Sequence, residues 1–132
     1  MSATAEVDGQ RYTFSGQGEC QHTTDASIYQ VPAALWTARF TDGKSLSYLN
    51  LTLWQPKGST AFQVSLALTA GKETAEIATV EGGPKQGSAT TARVTPTGGG
   101  GTFTIEGRDA HGHHTTLTVE CTRFTEPVAE GG

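Results

Sequence analysis

The sequence predicts an all-β fold, about eight mostly antiparallel strands in a sandwich or half-open barrel, and three observations carry that expectation. Threonine and glycine dominate, with 22 and 17 residues in a chain of 132, while charged residues make up only 17%. Threonine's branched Cβ suits an extended, half-solvated backbone, and glycine supplies the turn conformations such folds need often. Apolar residues recur at period two, as strands require, in Leu49, Leu51, Leu53 and again in Phe62, Val64, Leu66, Leu68. Turn signals such as Asp8-Gly9 and Asp42-Gly43 separate these runs. A chain of this length forms one domain and buries one core, read here as 1–125, with 126–132 as a flexible tail.

Taken in order, Thr4–Val7, the Asp8-Gly9 turn and Arg11–Cys20 read as a hairpin, because Asp-Gly is the strongest short hairpin signal. Ala34–Thr41 places Ala34, Trp36, Ala38 and Phe40 on one face. Pro32 ahead of Ala-Ala-Leu is compatible with a short helix as well, and the alternation favours strand. Ser45–Trp54 and Ala61–Leu68 are the core strands, followed by Thr74–Val80 and the loop from Glu81 to Ser88. Thr90–Thr95 leads to Gly98–Gly101, expected as a flexible loop. That stretch lacks the Lys-Ser/Thr and the following helix of a phosphate-binding loop. Thr102–Gly107 and Thr115–Phe124 form the last hairpin, across Arg108–His114.

A net charge of −4 without a Lys/Arg stripe argues against nucleic acid as a partner. No apolar run approaches the roughly 18 residues of a transmembrane segment. The opening MSATAEVDG has no charged n-region and no apolar h-region, so the chain is either cytosolic or an exported mature form with an added Met1. The cysteines favour export. Period-two reading from Tyr12 and Phe14 to Cys20, and from Leu117 and Val119 to Cys121, points both thiols inward. A Cys20–Cys121 bridge would close a loop of about 100 residues, for which chain entropy gives about 4.7 kcal/mol, less in practice. The other reading is two separate buried thiols in a reducing compartment. Two cysteines are too few for a structural zinc site.

The order of features carries a family resemblance. Val7-Asp8-Gly9 leads to a strand ending Gly16-Gln-Gly-Glu-Cys20, Ala38-Arg-Phe-Thr-Asp-Gly43 precedes a strand, and Gly101-Thr-Phe-Thr-Ile-Glu-Gly107 pairs across Gly112 with Leu117-Thr-Val-Glu-Cys121. In these segments the chain resembles the mycobacterial 19 kDa lipoprotein antigen family, loosely over most of its length and best around the two cysteines. The resemblance implies a lipid-anchored, surface-exposed envelope protein, a β-sheet domain with a disulfide between terminal strands, and no catalysis. The lipid-bearing cysteine of such proteins lies upstream of these segments and is not in this sequence.

Three constellations are candidates for chemistry. Asp109-Ala-His-Gly-His-His114 puts His111 and His113 two apart, so on a strand they share a face and could offer two imidazoles to Zn²⁺ or Cu²⁺, with Asp109 as an oxygen ligand. Gly112 suggests that the segment is simply the hairpin turn, with His22 a further imidazole near Cys20. No Gly-x-Ser-x-Gly elbow is present, and Glu76, Glu106 and Glu120 read as solvent-face strand residues, so no enzyme is expected. Tyr48 and Trp54 lie opposite Leu49, Leu51 and Leu53, which means either a second buried layer or, with Trp36, an aromatic groove for a lipid, glycan or protein partner. Asn50-Leu-Thr52 matches a glycosylation sequon inside a strand.

The resulting expectation is a non-enzymatic exported domain without cofactor, periplasmic or at the cell surface, acting by surface recognition or ligand binding. A carrier of a small apolar ligand, a secreted protein inhibitor and a metal binder are its rivals.

Overall fold

The computed structural model describes residues 1–28, 31–41, 46–58, 62–79 and 85–125. It is 77% strand and contains no helix among the described residues. The strands are β1 Ser2–Val7, β2 Gln10–Ser15, β3 Glu19–Ile28, β4 Val31–Thr41, β5 Leu46–Pro56, β6 Gln63–Ala70, β7 Glu73–Ala78, β8 Ser88–Thr97, β9 Gly100–Arg108 and β10 His114–Cys121. They form two five-stranded antiparallel sheets, ordered β2-β1-β10-β9-β8 and β3-β4-β5-β6-β7, which face each other as a sandwich and do not close into a barrel. The first sheet joins the N-terminal hairpin to the C-terminal meander through the β1–β10 ladder, and the second is the middle of the chain.

The predicted hairpin at Asp8-Gly9 is present, and both turn residues take positive φ, 50° and 84°, the geometry that matches strand twist. The expected strand Arg11–Cys20 is instead two strands, because the chain leaves the first sheet after Ser15 and enters the second at Glu19. Pro32 lies in strand, as the alternation of β4 required. Gly98–Gly101 is not a loop. Gly98 and Gly99 make a two-residue turn, and Gly100 and Gly101 pair with Thr97 and Pro96 as the start of β9. Gly100 must lack a side chain, since a Cβ there would run into the backbone oxygen of Cys121. The last hairpin ends at Cys121, and Phe124, expected in strand, instead packs edge-on against Phe103 while its N–H donates to Gly99 O at 2.8 Å. The Asp42-Gly43 turn, the expected strand ends Ser45, Ala61 and Val80, the 81–84 part of the expected loop and the tail 126–132 lie outside the described residues.

Inward-facing residues build one core. In β5, Leu46, Leu49, Leu51 and Leu53 are each fully buried, and a register shift between Leu46 and Tyr48 is what lets residues three apart share a face. They meet Ala5, Val7, Phe103, Ile105, Leu117 and Val119 from the other sheet. Beyond this shared core, a ring stack and a disulfide join the layers. Phe14 of β2 stacks on Phe40 of β4 with ring centroids 3.6 Å apart, and Cys20 of β3 is bonded to Cys121 of β10. The disulfide is consistent with an oxidising, exported location. Among the described residues no helix is long and apolar enough to cross a membrane.

Candidate functional site

The three aromatics expected to line one groove occupy three separate environments. Trp36 is on the core-facing side of β4, half-buried, stacked on His22 at 4.4 Å and edge-on to Phe62 at 5.5 Å. Trp54 is on the outer side of the same sheet yet only 6% exposed, packed with Ala33 and Leu35, and its Nε1–H donates to Gln63 Oε1 at 3.2 Å. Tyr48 sits six residues away on β5, exposed beside a hollow of about 230 Å³ that includes Glu19 and Arg39, themselves paired at 3.2 Å. The second-layer reading therefore holds for Trp54.

The histidine segment is the β9–β10 turn, and Asp109 builds it. Its carboxylate is 4% exposed, and Oδ1 accepts the backbone N–H groups of His111 at 2.9 Å and His113 at 2.8 Å. His113 lies between two carboxylates, with Nδ1 3.1 Å from Asp109 Oδ2 and Nε2 3.7 Å from Asp8 Oδ2 on the β1–β2 turn. The rings of His111 and His113 are 6.2 Å apart and tilted, and His114 turns to Glu106 at 3.4 Å. His22 is instead held at Trp36 with its Nδ1 2.8 Å from Leu35 O. Among the described residues no three His, Cys, Asp or Glu side chains are placed to hold a metal ion together. The geometry explains these residues as turn architecture, an Asp side chain replacing missing backbone partners.

A different site emerges at the edge where β8 passes over the end of β6. Of the inward positions of β8 only Val94 is buried in the core, while Ala89 and Ala92, toward the start of the strand, are half-buried and short. Among the described residues too little side chain reaches across to fill the space, and an open cleft of about 650 Å³ lies between the layers, lined by Phe62, Gln63, Thr79, Ala89, Thr90, Ala92 and Arg93. This volume falls in the ordinary range for small-molecule sites, about 300–1,000 Å³. A hollow at the histidine turn measures about 210 Å³. Behind Phe62 stands Trp36, so the apolar side of the cleft continues into the core.

A register shift between Ala89 and Thr91 shapes the β8 side. It frees Thr90, whose hydroxyl donates to Glu106 O at 3.2 Å. Thr79 on the opposite wall is fixed by its Oγ1, which accepts the Val64 N–H at 3.1 Å. Each wall is thus tied to its own sheet, and the described residues leave the apolar surface between them incompletely covered. Sequence reading named Phe62 only as core and passed over Ala89, Ala92 and Arg93. The available signal was the pair of alanines, Ala89 and Ala92, at the inward positions of β8 that precede Val94. The chain matches no family model, no curated protein and no solved structure.

Proposed function

We propose that this protein is a non-enzymatic, exported binding domain of a bacterial envelope, which holds a small ligand with an apolar body in the cleft beside β8. The observation that supports it is the open cleft of about 650 Å³ that the described residues leave between the two hydrogen-bonded sheets, with Phe62, Ala89 and Ala92 presenting apolar surface to it beside the polar Gln63, Thr79 and Thr90. Removing such surface from water favours binding by about 25 cal/mol per Å², and a framework that is already ordered spends little of this on rearrangement. Export is supported by the Cys20–Cys121 bond, and the envelope setting by the resemblance in the cysteine regions to the 19 kDa lipoprotein antigens. Among ligand-binding and surface-recognition readings the former is favoured, because the aromatic strip that recognition would have used is dispersed.

Native mass spectrometry of protein purified from an oxidising compartment tests this reading. The expected spectrum shows a small organic adduct that organic extraction removes and that binds again when returned. Bare protein throughout, with no rebinding from a total lipid extract, contradicts it.

A further inference from the structure

The cleft has a chemical polarity that narrows its ligand. Its apolar surface comes from Phe62, Ala89 and Ala92 and its neutral polar surface from Gln63, Thr79 and Thr90, and at its edge stands Arg93, exposed on the outer side of β8 opposite Thr104. Among the described residues the Arg93 side chain has neither an ion pair nor a hydrogen bond. The nearby carboxylate of Glu106 is engaged elsewhere, 3.4 Å from His114 Nε2 and 3.5 Å from the Thr90 hydroxyl. An uncommitted guanidinium beside an uncovered apolar wall is complementary to a molecule with an apolar tail and a negative head. Arginine also offers several N–H donors in a planar fork that fits carboxylate or phosphate oxygens.

Resting on the ligand-cleft reading above, we infer that the site takes a single-chain anionic amphiphile of fatty-acid type. The chain lies against Phe62, Ala89 and Ala92, and the head group is held by Arg93 at the mouth. The contributions differ in kind. The chain supplies most of the affinity, at about 0.8 kcal/mol for each methylene removed from water. The head-group contact is exposed, so it gives selectivity and orientation more than strength.

Isothermal titration calorimetry with decanoate, 1-decanol and decyltrimethylammonium, on the wild type and on Arg93→Glu, tests it. The wild type is expected to bind decanoate about fivefold more tightly than decanol, and the cation most weakly. Arg93→Glu should weaken decanoate on the order of tenfold, leave decanol unchanged and improve the cation. Equal binding of decanoate and decanol in both proteins would overturn the head-group assignment and leave the cleft reading standing. Loss of all three ligands in Arg93→Glu would also overturn it, since a head-group contact cannot govern a neutral chain. No binding of any of the three to the wild type would remove the cleft reading and this inference together.

Discussion

Single residues account for much of what holds this sandwich in register. Gly100 and Gly107 each lie where a Cβ would run into the backbone oxygen of a neighbouring segment, Cys121 and Ser88 respectively. A methyl group there has to push a strand aside, so Gly107→Ala is expected to cost about 3 kcal/mol, read as a shift in the urea midpoint at constant slope. Asp109 fixes the β9–β10 turn through two backbone N–H groups at a nearly buried carboxylate. Asp109→Ala should cost about 2–4 kcal/mol and Asp109→Asn distinctly less, because the amide oxygen can still accept. If Asp109→Ala proved neutral in the same denaturation assay, its role as turn builder would be wrong. Trp54 shows the limit of reading a residue from sequence. Its position opposite the leucines was legible, but whether that outer face was covered was not, because burial there depends on Ala33, Leu35 and Gln63 from adjoining strands. Being 6% exposed, it is expected to cost about 3–5 kcal/mol when replaced by Ala, with ligand binding intact in whatever fraction stays folded.

At the scale of elements, the strands with strict alternation were legible in the sequence and the others were not. The β5 and β6 leucines announce themselves because one wrong step would turn every one of them to solvent. The division of Arg11–Cys20 between two sheets was not visible, since both halves keep the same parity and only the Gly16-Gln17-Gly18 stretch marks the crossing. Most of β3 is polar and lacks alternation, so it reads as loop until its partner β4 is in place. The cleft escaped notice for a similar reason. Alanine is unremarkable in a strand, and only the packing of β8 over the other layer shows that Ala89 and Ala92 leave space. Filling that space is a direct experiment on the element. Ala92→Phe is expected to abolish binding of an apolar ligand while leaving the thermal midpoint unchanged or higher, because the new ring covers surface that the wild type leaves wet. Unimpaired binding in a folded Ala92→Phe protein would place the ligand elsewhere.

At the scale of the molecule, two layers share one core, and the disulfide is the covalent link between them. It spans 101 residues and joins β3 to β10, so in the unfolded chain it restrains nearly the whole sequence. Cys20→Ser combined with Cys121→Ser is expected to lose about 2–5 kcal/mol, seen as a lower midpoint in denaturant, while the far-ultraviolet spectrum stays that of a β protein. The all-β class was readable beforehand from period-two patterning, with sandwich and half-open barrel both left open, and the inward parity of both thiols favoured their pairing over two separate buried cysteines. The site was not, because it arises where two edges fail to meet and no motif marks it.

The central claim, that a ligand lies between the sheets beside β8, is tested most directly by alanine-methyl NMR during titration with decanoate. The methyls of Ala89 and Ala92 should shift progressively and saturate together, while those of Ala3 and Ala5, buried on the inner face of β1, stay in place. Saturating shifts confined to other methyls, or no shifts at all, would contradict it.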